Sequence, residues 1–75
     1  MADQDWTDRT KRFMKAELKR HDVTYDELAR RLNDMGFEET KASIASKLSR
    51  GGFTASFFLA SMKAVGCTAI RIEDI

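Results

Sequence analysis

Three threonines, Thr24, Thr40 and Thr54, each stand directly before a run of helical periodicity, and each run is closed by glycine, at Gly36, at Gly51 and Gly52, and at Gly66. A threonine hydroxyl accepts a hydrogen bond from an orphan amide of the first turn, and glycine readily takes the left-handed conformation that ends a helix. The punctuation therefore cuts the chain into short helices, with one more ahead of His21. Proline is absent and 43% of residues are apolar, which points to a compact all-α fold of four helices. Seventy-five residues make one domain with a small core, because a chain of this size buries only about 60% of its unfolded surface.

In chain order, residues 1–5 form a short polar arm with nothing in it to offset the entropy of ordering, so a flexible arm is expected. The first helix is expected to start at Asp5 or Thr7. Trp6, Phe13, Met14 and Leu18 recur at helical spacing with Thr10 on the same side, while Arg9, Lys11, Arg12, Lys15, Lys19 and Arg20 fill much of the rest. That helix packs its four strong apolar residues in the core, and its bases face either solvent or phosphate. Val23-Thr24-Tyr25-Asp26-Glu27 then supplies a Thr-x-x-Glu capping box with an apolar residue ahead of it. Tyr25, Leu28, Ala29, Leu32 and Met35 are its core positions, and the small Ala29 admits a close neighbour. Phe37 is placed to plug the corner that follows. In the fourth helix, Phe57, Phe58, Leu59, Met62 and Val65 make about two-thirds of the circumference apolar, which suits a deeply buried helix or an interface. After Gly66, Ile70 and Ile72 alternate with Arg71 and Glu73 in a period of two, so residues 68–75 read as an extended tail. It either crosses the bundle or pairs with the same tail of a second chain about a two-fold axis.

The net charge of +1 conceals a pattern: residues 1–8 carry −3, 9–20 carry +5, 22–39 carry −4, 40–63 carry +4 and 64–75 carry −1. Two positive blocks flank an acidic one. Cys67 is the single cysteine, which excludes an internal disulfide and a cysteine-only metal site. His21 is the single histidine; with no nucleophile or paired carboxylate spaced to it, it reads as a cation at a helix end. Neither a metal nor another cofactor is expected. Ser43, Ser46 and Ser49 lack a base, and no glycine loop of the phosphate-cradling kind is present, so no enzymatic constellation is legible. No apolar run approaches the roughly 20 residues of a membrane span and no signal peptide is apparent, which gives a cytoplasmic location as the expectation.

Between Thr40 and Arg50, every charged side chain is positive: Lys41, Lys47 and Arg50. At 100° per residue, Ile44 and Leu48 fall to one side with Ala45 and the stem of Lys41, while Ala42, Ser43, Ser46, Ser49 and Arg50 fall to the other. A small, polar and basic face is what a helix in a DNA major groove needs. An ordinary surface helix with a narrow apolar stripe shows the same pattern.

Taken together, Val23-Thr24-Tyr25-Asp26-Glu27-Leu28-Ala29, then Ser43-Ile44 and Leu48-Ser49-Arg50-Gly51, then Leu59 through Ala64-Val65-Gly66-Cys67 resemble the helix-turn-helix domain of the lambda-repressor-like (Cro/C1) family. The Tyr-x-Glu-Leu-Ala helix and the Ile-x-x-Lys-Leu-Ser-Arg-Gly-x-Phe segment are also similar to a set of short bacterial proteins. The resemblance implies a helix-turn-helix domain over residues 6–67, with residues 40–50 as the helix that reads DNA. It further implies that Lys41, Ala42, Ser43 and Ser46 lie nearest base edges, Lys47 and Arg50 at phosphate or the flank, Thr24 over the backbone, and Thr40 among the DNA-binding residues at the N-terminus that enters the groove. Two spacings depart from the family: seven residues, Asn33 to Glu39, precede Thr40, and one extra residue separates Ile44 from Gly51.

The expected function is that of a sequence-specific module for double-stranded DNA, in a small bacterial or phage-type transcriptional regulator. A homodimer through helix 54–65 and tail 68–75 would add affinity and specificity. The competing expectation is a protein-interaction module that keeps the fold without binding DNA, favoured by the near-neutral charge and the acidic block beside the reading helix.

Overall fold

The hydroxyls expected to open three helices do open them. In a computed structural model, which describes residues 2–75, α1 spans Ala2–Arg20, α2 Tyr25–Asp34, α3 Lys41–Arg50 and α4 Ala55–Val65, with a single 3-10 turn at Ile72–Asp74. Thr24, Thr40 and Thr54 accept from the amides of Glu27 at 3.1 Å, Ser43 at 3.0 Å and Phe57 at 3.1 Å. The reciprocal half of the capping box forms at α3, where the Thr40 amide donates to Ser43 Oγ at 2.8 Å. At α2 it does not form. The Glu27 carboxylate turns instead to Arg30 at 2.6 Å and Arg31 at 2.8 Å, and these hydrogen bonds hold its carboxyl below the ordinary carboxylate range.

The core is one cluster with members from every helix: Met14 and Leu18 of α1, Leu28, Ala29 and Leu32 of α2, Ile44 and Leu48 of α3, and Phe57, Met62 and Val65 of α4, together with Val23 ahead of α2. α2 packs against α3 and α4, and α1 packs against α4 and α3. Phe37 and Phe53 fill in from the connections, Phe53 lying 5.5 Å from Phe57 between ring centroids. Ala29 is buried as its size suggested.

Several expectations are corrected. α1 begins at Ala2, with Asp3 and Asp5 in its first turn favoured by the helix dipole; of the arm expected at residues 1–5, Met1 lies outside the described residues. Trp6 is not core but 45% exposed. A 19-residue helix runs well past partners of 10 or 11 residues, at about 1.5 Å per residue, so Trp6 is covered by the Arg9 guanidinium, 4.2 Å from its ring centroid, rather than by a helix. Met35 is exposed because it is the C-cap of α2, beyond the last helical turn. Leu59 is 58% exposed; two residues from buried Phe57, it points about 200° away from it. Ala45 is exposed, whereas Ser43 and Lys47 are partly buried. The C-terminal segment is not an extended strand-like tail: Ile70 packs on the core, Ile72–Asp74 turns, and Arg9 grips the Ile75 carbonyl at 3.2 and 2.8 Å.

The joint between α1 and α3 is made at Gly51. Its φ is +77°, and a Cβ there would sit 2.6 Å from Thr7 Cγ2 and 3.3 Å from Lys11 Cδ. Gly36, with φ of +99°, faces open space. Gly51→Ala should therefore cost the left-handed penalty plus steric repair, about 2–4 kcal/mol, and Gly36→Ala only the penalty, about 1 kcal/mol. Urea denaturation of the two variants measures the difference; equal losses would mean that α1 does not pack closely on the end of α3.

Candidate functional site

The long connection that separated this sequence from the family pattern is closed by one side chain and one buried acid. Asn33 Oδ1 accepts from the Glu39 amide at 2.7 Å and Asn33 Nδ2 donates to the Glu39 carbonyl at 2.9 Å. The loop is pinned at both ends. Glu39, 7% exposed, then extends its carboxylate along α3: Oε1 accepts from Ser43 Oγ at 2.6 Å, and Oε2 forms an ion pair with Lys47 Nζ. That ammonium also lies 4.7 Å from the Phe57 ring centroid. Glu39, Ser43 and Lys47 thus form one stripe at four-residue spacing, next to the apolar stripe of Ile44 and Leu48.

This arrangement sorts the residues expected at DNA. Thr24 and Thr40 are at the surface, with hydroxyls engaged as caps. Ser43 and Lys47 are turned inward to Glu39. Lys41, Ala42, Ser46 and Arg50 remain exposed, joined by Ala45 and Ser49. α3 accordingly shows solvent a face of small side chains with a cation at each end and, from Thr40 to Gly52, no acid. Glu39 was legible only as part of an acidic block; the usable signal was its spacing of four residues to Ser43 and eight to Lys47.

The first positive block divides. Lys11 Nζ donates to the Ser49 carbonyl at 3.1 Å, satisfying an orphan acceptor at the end of α3 and bringing its charge to that face. Arg9, Arg12 and Arg20 instead line a cavity with the C-terminal segment. Arg31 plays a part like that of Lys11 for α4, donating to the Ala64 carbonyl at 2.9 Å. His21 is exposed and close to Gly66. Cys67 donates its thiol to Glu17 Oε1 at 3.4 Å, and burial, followed by the neighbouring Glu17, pushes its pKa up. No helix is long and apolar enough to cross a membrane among the described residues.

Fold and surface define a small all-helical domain that presents one basic face of small side chains on α3. From residue 6 to residue 70 the sequence matches the family described as a domain of unknown function (DUF6471), and the chain belongs to it. No curated protein and no solved structure matches.

Removing either partner of the Glu39–Lys47 pair leaves the other without its charge mate, so Glu39→Ala and Lys47→Ala should each lose about 1–3 kcal/mol of stability. The double variant should lose less than the sum by about 1 kcal/mol; additive losses in urea titrations would show the pair to be uncoupled. Cys67 should react with iodoacetamide at pH 8 more slowly than a free small-molecule thiol, the gap narrowing as pH rises. A rate equal to the free thiol at pH 8 would contradict the raised pKa.

Proposed function

We propose that the protein binds double-stranded DNA as a helix-turn-helix domain, with the outward face of α3 in the major groove, and acts as a small transcriptional regulator of the bacterial or phage type. The observation that carries this is the α3 face: Ala42, Ala45, Ser46 and Ser49 let the helix approach base edges closely, and Lys41 and Arg50, which make no salt bridge among the described residues, neutralise phosphates at the two ends. The inner stripe supports the same reading. Glu39 braces the helix from behind, and Gly51 seats its far end on α1.

The contact set differs from the one the resemblance implies. Ser43 and Lys47 are positioning residues held by Glu39, Thr24 and Thr40 act through their caps, and Lys11 adds a cation beside the end of α3. With so few phosphate contacts, one copy binds weakly and loses affinity steeply with salt. A homodimer in which α4 and the C-terminal segment meet through Leu59 would compensate on a palindromic site. The exposure of Leu59 equally favours the second reading, a protein-interaction module in which that surface meets a different partner and α3 is simply solvated.

Selection of bound sequences from a random duplex pool decides between them: an enriched, symmetric site is the outcome for the regulator, and no enrichment the outcome for the interaction module. On duplex DNA, Lys41→Ala and Arg50→Ala should each reduce the slope of log affinity against log salt by about 0.9. Lys47→Ala should lower stability and leave the slope close to the parent's. A parent slope retained in both Lys41→Ala and Arg50→Ala would reject the docking.

A further inference from the structure

We propose that the cavity between α1 and the C-terminal segment binds a small polyanion, a molecule carrying two or more phosphate or carboxylate groups. The cavity measures about 720 Å³, within the range of small-molecule sites. Its walls come from parts of the chain some fifty residues apart: Arg9, Arg12 and Arg20 on α1, and Arg71 on the segment that folds back. Two acids, Glu17 and Asp74, share the lining; Arg20 pairs with Glu17 at 3.3 Å, Arg71 with Glu73 at 2.9 Å and Arg9 more loosely with Asp5 at 3.8 Å. Phe13 and the alanines beside it make the remainder apolar.

The arginines are arranged to receive oxygen ligands. Arg9 already does so, its Nε and Nη2 both donating to one oxygen, that of the Ile75 main chain, at 3.2 and 2.8 Å. Its guanidinium is held from behind by the Trp6 ring. Arg12 touches only the Asp8 carbonyl, at 3.3 Å, and has no carboxylate at ion-pair distance among the described residues. An anion in the cavity would meet Arg12 unpaired and would exchange with Glu73 for Arg71. Glu17 is 7% exposed; its Oε2 is buried beside Arg20 Nε at 3.3 Å without a hydrogen bond, and its Oε1 accepts from the Cys67 thiol.

The site is separate from the α3 face. Arg9 is two residues from Lys11, about 200° around the helix, so a ligand here would not meet DNA lying on α3. Its effect falls on the C-terminal segment, which it would hold against α1 through Arg71.

Inorganic pyrophosphate and citrate serve as probes, each against sodium chloride at matched ionic strength, with thermal unfolding and isothermal titration as readouts. A saturable rise in Tm with either probe is expected, and the stronger of the two identifies phosphate or carboxylate as the natural group. Arg12→Gln with Arg71→Gln, both exposed side chains, should weaken that binding by about tenfold, while Lys41→Ala with Arg50→Ala should leave it unchanged. In the unmodified protein, the Nε–Hε resonances of Arg9 and Arg12 should shift on titration, a readout that does not depend on any variant folding. No rise above chloride with either probe, static arginine resonances, or equal binding by the Arg12/Arg71 variant would each overturn the proposal, without bearing on DNA binding by α3.

Discussion

The buried carboxylate of Glu39 fixes the attitude of α3. An acid taken out of water must find donors, and Glu39 finds two on the helix it precedes, a hydroxyl and an ammonium, four and eight residues on. Because its own amide and carbonyl are held by Asn33 at the end of α2, the same residue ties α3 to α2 by backbone and along its length by side chain. The apolar contacts of Ile44 and Leu48 supply the driving force for packing, being non-directional; the polar ladder beside them selects one rotation of α3 about its axis. Which side chains of α3 meet solvent follows from that rotation.

A domain of this size has little core to draw on, and much of its definition comes from helix ends. All three cap threonines are engaged, and the carbonyl ends of α3 and α4 are each reached by a cation from another helix, Lys11 and Arg31. Such contacts satisfy orphan acceptors and place positive charge at the negative end of the dipole. They also show why net charge said little about function here. Basic residues that look alike in the sequence are divided among helix capping, an internal ion pair, the exposed ends of α3 and an arginine-lined cavity.

Much of the secondary structure was legible because its signals are local. Thr24, Thr40 and Thr54 act on amides three residues away, and Gly51 and Gly66 end the helices that run into them, so the boundaries of α3 and α4 fall where the residues put them. Ile44, Leu48, Leu28 and Leu32 are core for the same reason, as periodicity alone carries them to one side. Trp6 and Met35 were misread because apolar character says that burial is favourable, not that a partner is within reach; they lie at the overhang of α1 and past the end of α2, while Leu59, on the outer side of α4, leaves that helix buried on one side only. The period-two tail packs on the bundle through Ile70 and Arg9, but it turns at Ile72–Asp74 rather than staying extended, since alternation over so few residues without a neighbouring strand has nothing to pair with.

By itself, then, the sequence determined four helices, the start and stop residues of the last three, and most of the apolar stripe of each, all of which depend on residues within about one or two turns of one another. Tertiary structure decided which polar and charged side chains are free. Lys47 and Lys41 are equivalent by composition and helix, yet one is paired to Glu39 over Phe57 and the other stands in solvent. Arg9 and Arg71 are remote along the chain and line one cavity. Charge pairing is set by distance in space, and only the packed chain fixes those distances.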